Sequence, residues 1–154
     1  VDFSQETGAY FHTTAAEMKP ELTNWPIQLN LVATNAPYLR NADLLLAADC
    51  TAFSTIHIHS RFMKGKKLLI ACPKLDDSRH YLEKLSEMFK VNPINSITVL
   101  RMEVPCGGGL VYLAKEAVKA SGRDIPYNEA VIGIKGDILG EGKTRVNMVS
   151  NVCP

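Results

Sequence analysis

The chain is poor in cysteine, with four among 154 residues. That is too few for the disulfide scaffold of a small secreted domain, so a reducing, cytoplasmic setting is expected. Long apolar runs are missing as well. The longest, around Leu44 to Ala48, falls far short of the roughly 20 residues of a membrane-spanning helix, and no basic flank leads into an apolar stretch as in a secretory leader. No membrane partner is expected. Charge of one sign is absent too: 17 Lys and Arg against 16 Asp and Glu leave a net charge of +1. Without a basic stripe to release counterions, no nucleic-acid partner is expected. There is no internal repeat or low-complexity tract. The chain opens on Val1 rather than Met, and we expect an excised or processed fragment.

What is present is a core. Apolar residues make up 46% and charged residues 21%, a balance that supports one domain without staples. Residues 1–20 lack periodicity and end at Pro20, so they read as an arm or linker remnant, with residues 21–154 as a single α/β domain. Ile27, Leu29 and Leu31 alternate with polar residues, predicting an edge strand. A helical turn is expected over Asn35 to Asn41, with Asn35 as cap and Pro37 early in the turn.

Three short apolar runs follow, Asp43 to Ala48, Lys67 to Ala71 and Ser96 to Met102, each fit for a strand buried on both faces. After the second, Asp76 and Asp77 precede the helical stripe Tyr81, Leu82, Leu85, Met88 and Phe89, which Asn92 and Pro93 end. After the third come Leu110, Leu113, Ala114, Ala117 and Val118, stopped by Gly122. Ala130 to Ile134 reads as a further strand, and the Gly-rich residues beyond Gly136 as a hairpin or tail. Strands alternating with helices predict a Rossmann-like open, mostly parallel sheet with helices on both faces.

Three of the cysteines follow three of these strands: Cys50, Cys72 and Cys106. Parallel strands share a direction, so their carboxyl ends lie along one edge, where such folds place ligands. With strands about 4.8 Å apart, thiols from three strand ends can converge on one centre. Three thiolates suit zinc, iron or an iron–sulfur cluster. Gly107, Gly108 and Gly109 open a helix beside Cys106, and their N–H groups are expected to approach an anionic centre. A buried cysteine as small core filling is the plainer reading of any one of the three.

The runs Trp25-Pro26-Ile27-Gln28-Leu29, Ala47-Ala48-Asp49-Cys50, Lys64 through Asp77 with Cys72-Pro73-Lys74-Leu75-Asp76 at its end, and Arg101 through Leu110 carry a resemblance. Over roughly residues 22 to 140 the chain resembles the C-terminal domain of ferredoxin-type (4Fe-4S) iron–sulfur cluster-binding proteins of anaerobic microbes. The resemblance implies cluster binding, electron transfer as part of an oxidoreductase, and a redox partner protein or ferredoxin domain. The N-terminal ferredoxin repeats, which carry that family's best-known ligands, are absent from this sequence. Gly107 also stands where the family pattern often has a second cysteine.

Three cysteines leave a four-coordinate site one ligand short. His59, in the connection after Cys50 and matching a histidine of the resembling family, is the first candidate for the fourth. In an extended segment His57 would face the same side. His12 and His80 have no such placement, and Cys153 lies close to the chain end. Gly142-Lys143-Thr144 lacks the upstream glycine and following helix of a phosphate loop, so no ATP site is expected. Lys74, Asp76 and Asp77 flank Cys72, where helix capping already accounts for the aspartates; Glu103 is a candidate acid or base near Cys106.

Three readings therefore stand. The first is an iron–sulfur redox domain ligated by Cys50, Cys72 and Cys106. The second is a mononuclear zinc or iron site completed by His59 or water. The third is a thiol redox or interaction domain without metal.

Overall fold

The structure is a computed structural model that describes residues 19–144. The expected arm before Lys19, His12 and Cys153 lie outside the described residues. Three runs become strands at the expected bounds: β1 (Asp43–Ala48), β2 (Lys67–Ala71) and β3 (Ser96–Met102). β4 spans Tyr127–Ile132 and β5 spans Ile138–Thr144. The five form one sheet in the order β2-β1-β3-β4-β5, parallel except for β5, which returns antiparallel to β4 as a hairpin. Among the helices, α1 is a single turn over Thr51–Ser54, α2 spans Ser78–Val91 and α3 spans Gly107–Ser121.

Right-handed crossovers explain the layering. The step from β1 out to β2 runs one way across the sheet, and the steps from β2 to β3 and on to β4 run the other way. The two sets of connections must therefore cover opposite faces. α2 and α3 pack together on one face, where Leu44, Leu46, Leu69, Ile97 and Val99 meet Tyr81, Leu85, Leu110 and Ala114. The other face buries Leu45, Ala47, Leu68 and Leu100 beneath Ile58, Phe62 and Met63 of a wide π-helical turn over Ile58–Met63. Both faces of β1 are thus covered, which is why its run is continuously apolar.

Local signals account for the helix ends. Asp77 caps α2 by accepting the Arg79 N–H at 2.9 Å, and Gly122, in the left-handed region at φ 68°, ends α3.

Several expectations are corrected. Residues 27–31 form no strand, only a single bridge from Gln28 to Ile70 followed by a turn in which Leu31 N–H bonds Gln28 C=O. Leu29 and Val32 are the side chains buried there, while Leu31 points outward, so the apparent alternation was coincidental. The turn after it is a 3-10 helix over Pro37–Leu39 whose cap position is Ala36, not Asn35. β4 begins three residues before Ala130 and ends at Ile132, because Gly133 enters the turn to β5.

Candidate functional site

The strand order reverses at β1. From β1 the chain first moves outward to β2, then back past β1 to β3, so β1 and β3 flank the switch point at which doubly wound sheets bind ligands. Registers pairing Ala48 with Ala71 and Ala47 with Leu100 bring the ends of these strands level. Cys50, Cys72 and Cys106 follow those ends.

Each cysteine sits in a turn fixed by its neighbours. Cys50 occupies the cap position of α1; fully buried Thr51 donates its hydroxyl to Ala48 C=O at 2.7 Å, and Ser54 donates to Cys50 C=O at 2.8 Å. Cys72 C=O accepts the N–H groups of Leu75 and Asp76, at 3.1 and 3.0 Å. Its own N–H donates to the Tyr81 hydroxyl at 3.4 Å. Cys106 caps α3, where Gly107 packs so closely that a Cβ would stand 2.6 Å from Met102 C=O. All three cysteines are free thiols; Cys50 and Cys106 are exposed and Cys72 is half-buried.

The electrostatics single out Cys50 and Asp49. Burial pushes the Cys50 thiol up, and charge on Cys106, Cys72 and Asp49 pushes it further, against a backbone hydrogen bond that lowers it. Cys50 is thus the thiol whose ionisation its surroundings oppose. Asp49 is raised by burial and by the Asp76 carboxylate. Its Oδ1 is buried with no hydrogen-bond partner among the described residues. Tyr81 donates to Asp76, and burial followed by that bond raises the phenol.

Asp49 and Tyr81 are the members of this cluster that sequence reasoning missed. Tyr81 reads as one more apolar residue of the α2 stripe. Asp49 reads as a polar terminus to β1, although its position next to Cys50 at a strand end was a signal.

Two expected contributions are not seen. The N–H groups of Gly107, Gly108 and Gly109 already donate to Val104, Pro105 and Cys106 carbonyls, at 2.9, 3.2 and 3.2 Å. The tight turn that starts α3 uses them, leaving none for an anionic centre. His59 lies on the π-helical turn, and its Nδ1 accepts the Glu21 N–H at 3.1 Å, so this nitrogen pins the segment before β1. The helical path also removes the extended geometry that would align His57 with it. Among the described residues, no three His, Cys, Asp or Glu side chains are grouped to hold one metal ion.

Exposed apolar side chains surround this edge: Phe53 and Ile56 after β1, Leu75 after β2 and Ile134 after β4. Glu103 accepts the Ile134 N–H at 3.0 Å, which gives that carboxylate a structural task. No described helix is long and apolar enough to cross a membrane.

A protein family described as a Rossmann-like domain matches residues 36–153. An uncharacterized protein of Archaeoglobus fulgidus is 28% identical over 118 residues, covering 77% of this chain and 83% of its own length. No solved structure matches. These similarities concern the α/β domain and say nothing of ferredoxins or iron–sulfur clusters.

Proposed function

Because this chain belongs to the family of Rossmann-like domains, whose ligands sit outside the carboxyl ends of the strands, we propose that it binds an iron–sulfur cluster there and serves in electron transfer. The observation that carries this reading is the placement of Cys50, Cys72 and Cys106 in the turns that follow the level carboxyl ends of β1, β2 and β3, at the switch point. The donor set fits the group: three soft thiols on one edge, with two of them exposed. A cluster spreads its ligands over several irons, so its thiolates stand farther apart than those around a single ion. The absence of a tight three-residue grouping among the described residues thus counts against a mononuclear zinc or iron ion more than against a cluster.

A bound 4Fe-4S cluster would supply reversible one-electron transfer at low potential. The protein's part is to hold three thiolates on turns that the sheet fixes. A fourth ligand is not assigned among the described residues, and the reading of His59 in that role has only its Nε2 to draw on. The exposed Phe53, Ile56, Leu75 and Ile134 suit docking of a redox partner protein or ferredoxin domain over the site.

A second reading has its own support. Cys50 and Cys106 are both exposed free thiols, and Cys106 is the thiol that perturbs Cys50 most. Exposure opens both thiols to dithiol–disulfide chemistry without metal, although the burial that raises the Cys50 thiol disfavours its attacking thiolate.

The test is to replace Cys50, Cys72 and Cys106 singly by Ser and measure cluster content after anaerobic reconstitution. Each substitution should strongly reduce bound iron and sulfide. Full occupancy in all three variants rules the assignment out.

A further inference from the structure

Between the turn after β2 and the first turns of α3 lies a cavity of about 360 Å³, at the small end of the range for small-molecule sites. Pro73 and Gly109, close neighbours, both line it, as does Cys106. A Cβ at Gly109 would stand in van der Waals contact with Pro73, at 3.6 Å, so any longer side chain there has to extend into the cavity.

Of the described residues that line it, Lys74, Ser78 and Tyr112 carry polar side chains beside the Cys106 thiol, and none carries a carboxylate. Lys74 is exposed and enters no ion pair among the described residues. The helix starts on either side are partly engaged. Asp77 accepts the Arg79 N–H, and the glycine N–H groups of α3 close their own turn. The charge of a ligand would therefore be met by the Lys74 ammonium, with the Ser78 and Tyr112 hydroxyls as hydrogen-bond donors. One cation and two neutral donors match a singly charged group better than a phosphate dianion.

We infer that this cavity binds a small organic carboxylate, its charge on Lys74 and its apolar body between Pro73 and Tyr112, against Cys106. The ligand would then sit beside the redox centre, in the place of a substrate. The inference rests on the reading of the cysteine edge as the functional site.

Alkylation of the full chain, reduced and freed of metal by chelation, tests it. Iodoacetate is itself a small carboxylate, and iodoacetamide is its neutral counterpart. With either reagent a thioether S–C bond forms, iodide leaves and the thiol proton passes to buffer. Labelling of Cys106 and Cys50 is followed separately by peptide mass spectrometry. The iodoacetate-to-iodoacetamide rate ratio should be higher at Cys106 than at Cys50. In Lys74→Gln the ratio at Cys106 should fall about threefold to fivefold, the scale of an exposed charge pair. Benzoate should protect Cys106 saturably, and Gly109→Leu, which fills the cavity, should abolish the protection.

A ratio at Cys106 that ignores Lys74→Gln, or labelling that ignores benzoate, overturns the site. Protection by inorganic phosphate at lower concentration than benzoate overturns the carboxylate assignment. Because the protein is metal-free, these results are independent of whether a cluster binds, and a failure here leaves the cluster proposal standing.

Discussion

Tyr81 donates its hydroxyl to Asp76 while accepting the backbone N–H of Cys72 at 3.4 Å. Its ring is fully buried in the face that α2 presents to the sheet, so one side chain ties the Cys72 turn to a rigid helix. Tyr81→Phe keeps the ring and deletes both bonds, leaving a half-buried N–H without its acceptor. A stability loss of about 1–3 kcal/mol is expected, read as a lower urea midpoint at unchanged m-value. An unchanged midpoint would show that the hydroxyl is dispensable.

Asp49 makes stability depend on pH. Burial, reinforced by Asp76, raises its carboxyl above the ordinary value of 3.8. Between that value and the raised one, the native state keeps a proton that the unfolded chain has released. This contribution to stability therefore falls as pH rises through that window and stays low above it. Asp49→Asn cannot ionise, so it should be more stable than the parent at pH 7 and lose that advantage below about pH 4. Urea midpoints of both proteins at the two pH values check this; a variant advantage confined to acid pH would contradict it.

Adjacent glycines at the start of α3 should respond oppositely to alanine. At Gly107 a Cβ would stand 2.6 Å from Met102 C=O, a backbone atom that cannot swing away. Gly107→Ala is expected to cost more than about 2 kcal/mol and to displace Cys106. At Gly108 a Cβ meets nothing within 4 Å, so Gly108→Ala should be neutral or stabilising by up to about 1 kcal/mol. Thermal unfolding of the two variants in parallel measures the contrast.

The α2 cap supplies a smaller effect. Asp77 accepts the Arg79 N–H at 2.9 Å, and Asp77→Ala should destabilise by about 1 kcal/mol. Asp77→Ser, which retains a capping oxygen, should recover most of this in the same unfolding measurement.

The parallel sheet was legible because β1 is buried on both faces and so appears as an uninterrupted apolar run, with β2 and β3 predominantly apolar between polar punctuation. The same runs located Cys50, Cys72 and Cys106 at one edge, since the topology follows from alternating strands and helices. Residues 27–31 misled because Ile27, Leu29 and Leu31 alternate, yet what decides their conformation is how the segment turns after its one bridge to Ile70. The glycines after Cys106 misled differently. Their spacing fits an open nest, but close packing on Met102 makes Gly107 a steric requirement, and the turn uses the N–H groups. Tyr81 was invisible as a site residue because its ring satisfies the helix stripe, and nothing in a linear pattern shows where its hydroxyl points. His59 depended on the path of a connection, which sequence spacing does not fix.

The central claim is that the three strand-end thiols hold a cluster, and iron, zinc and acid-labile sulfide per chain, on protein purified without oxygen, test it most directly. Several irons with matching sulfide and broad visible absorption are the expected result. Neither metal nor sulfide after anaerobic reconstitution, or one metal without sulfide, would contradict it.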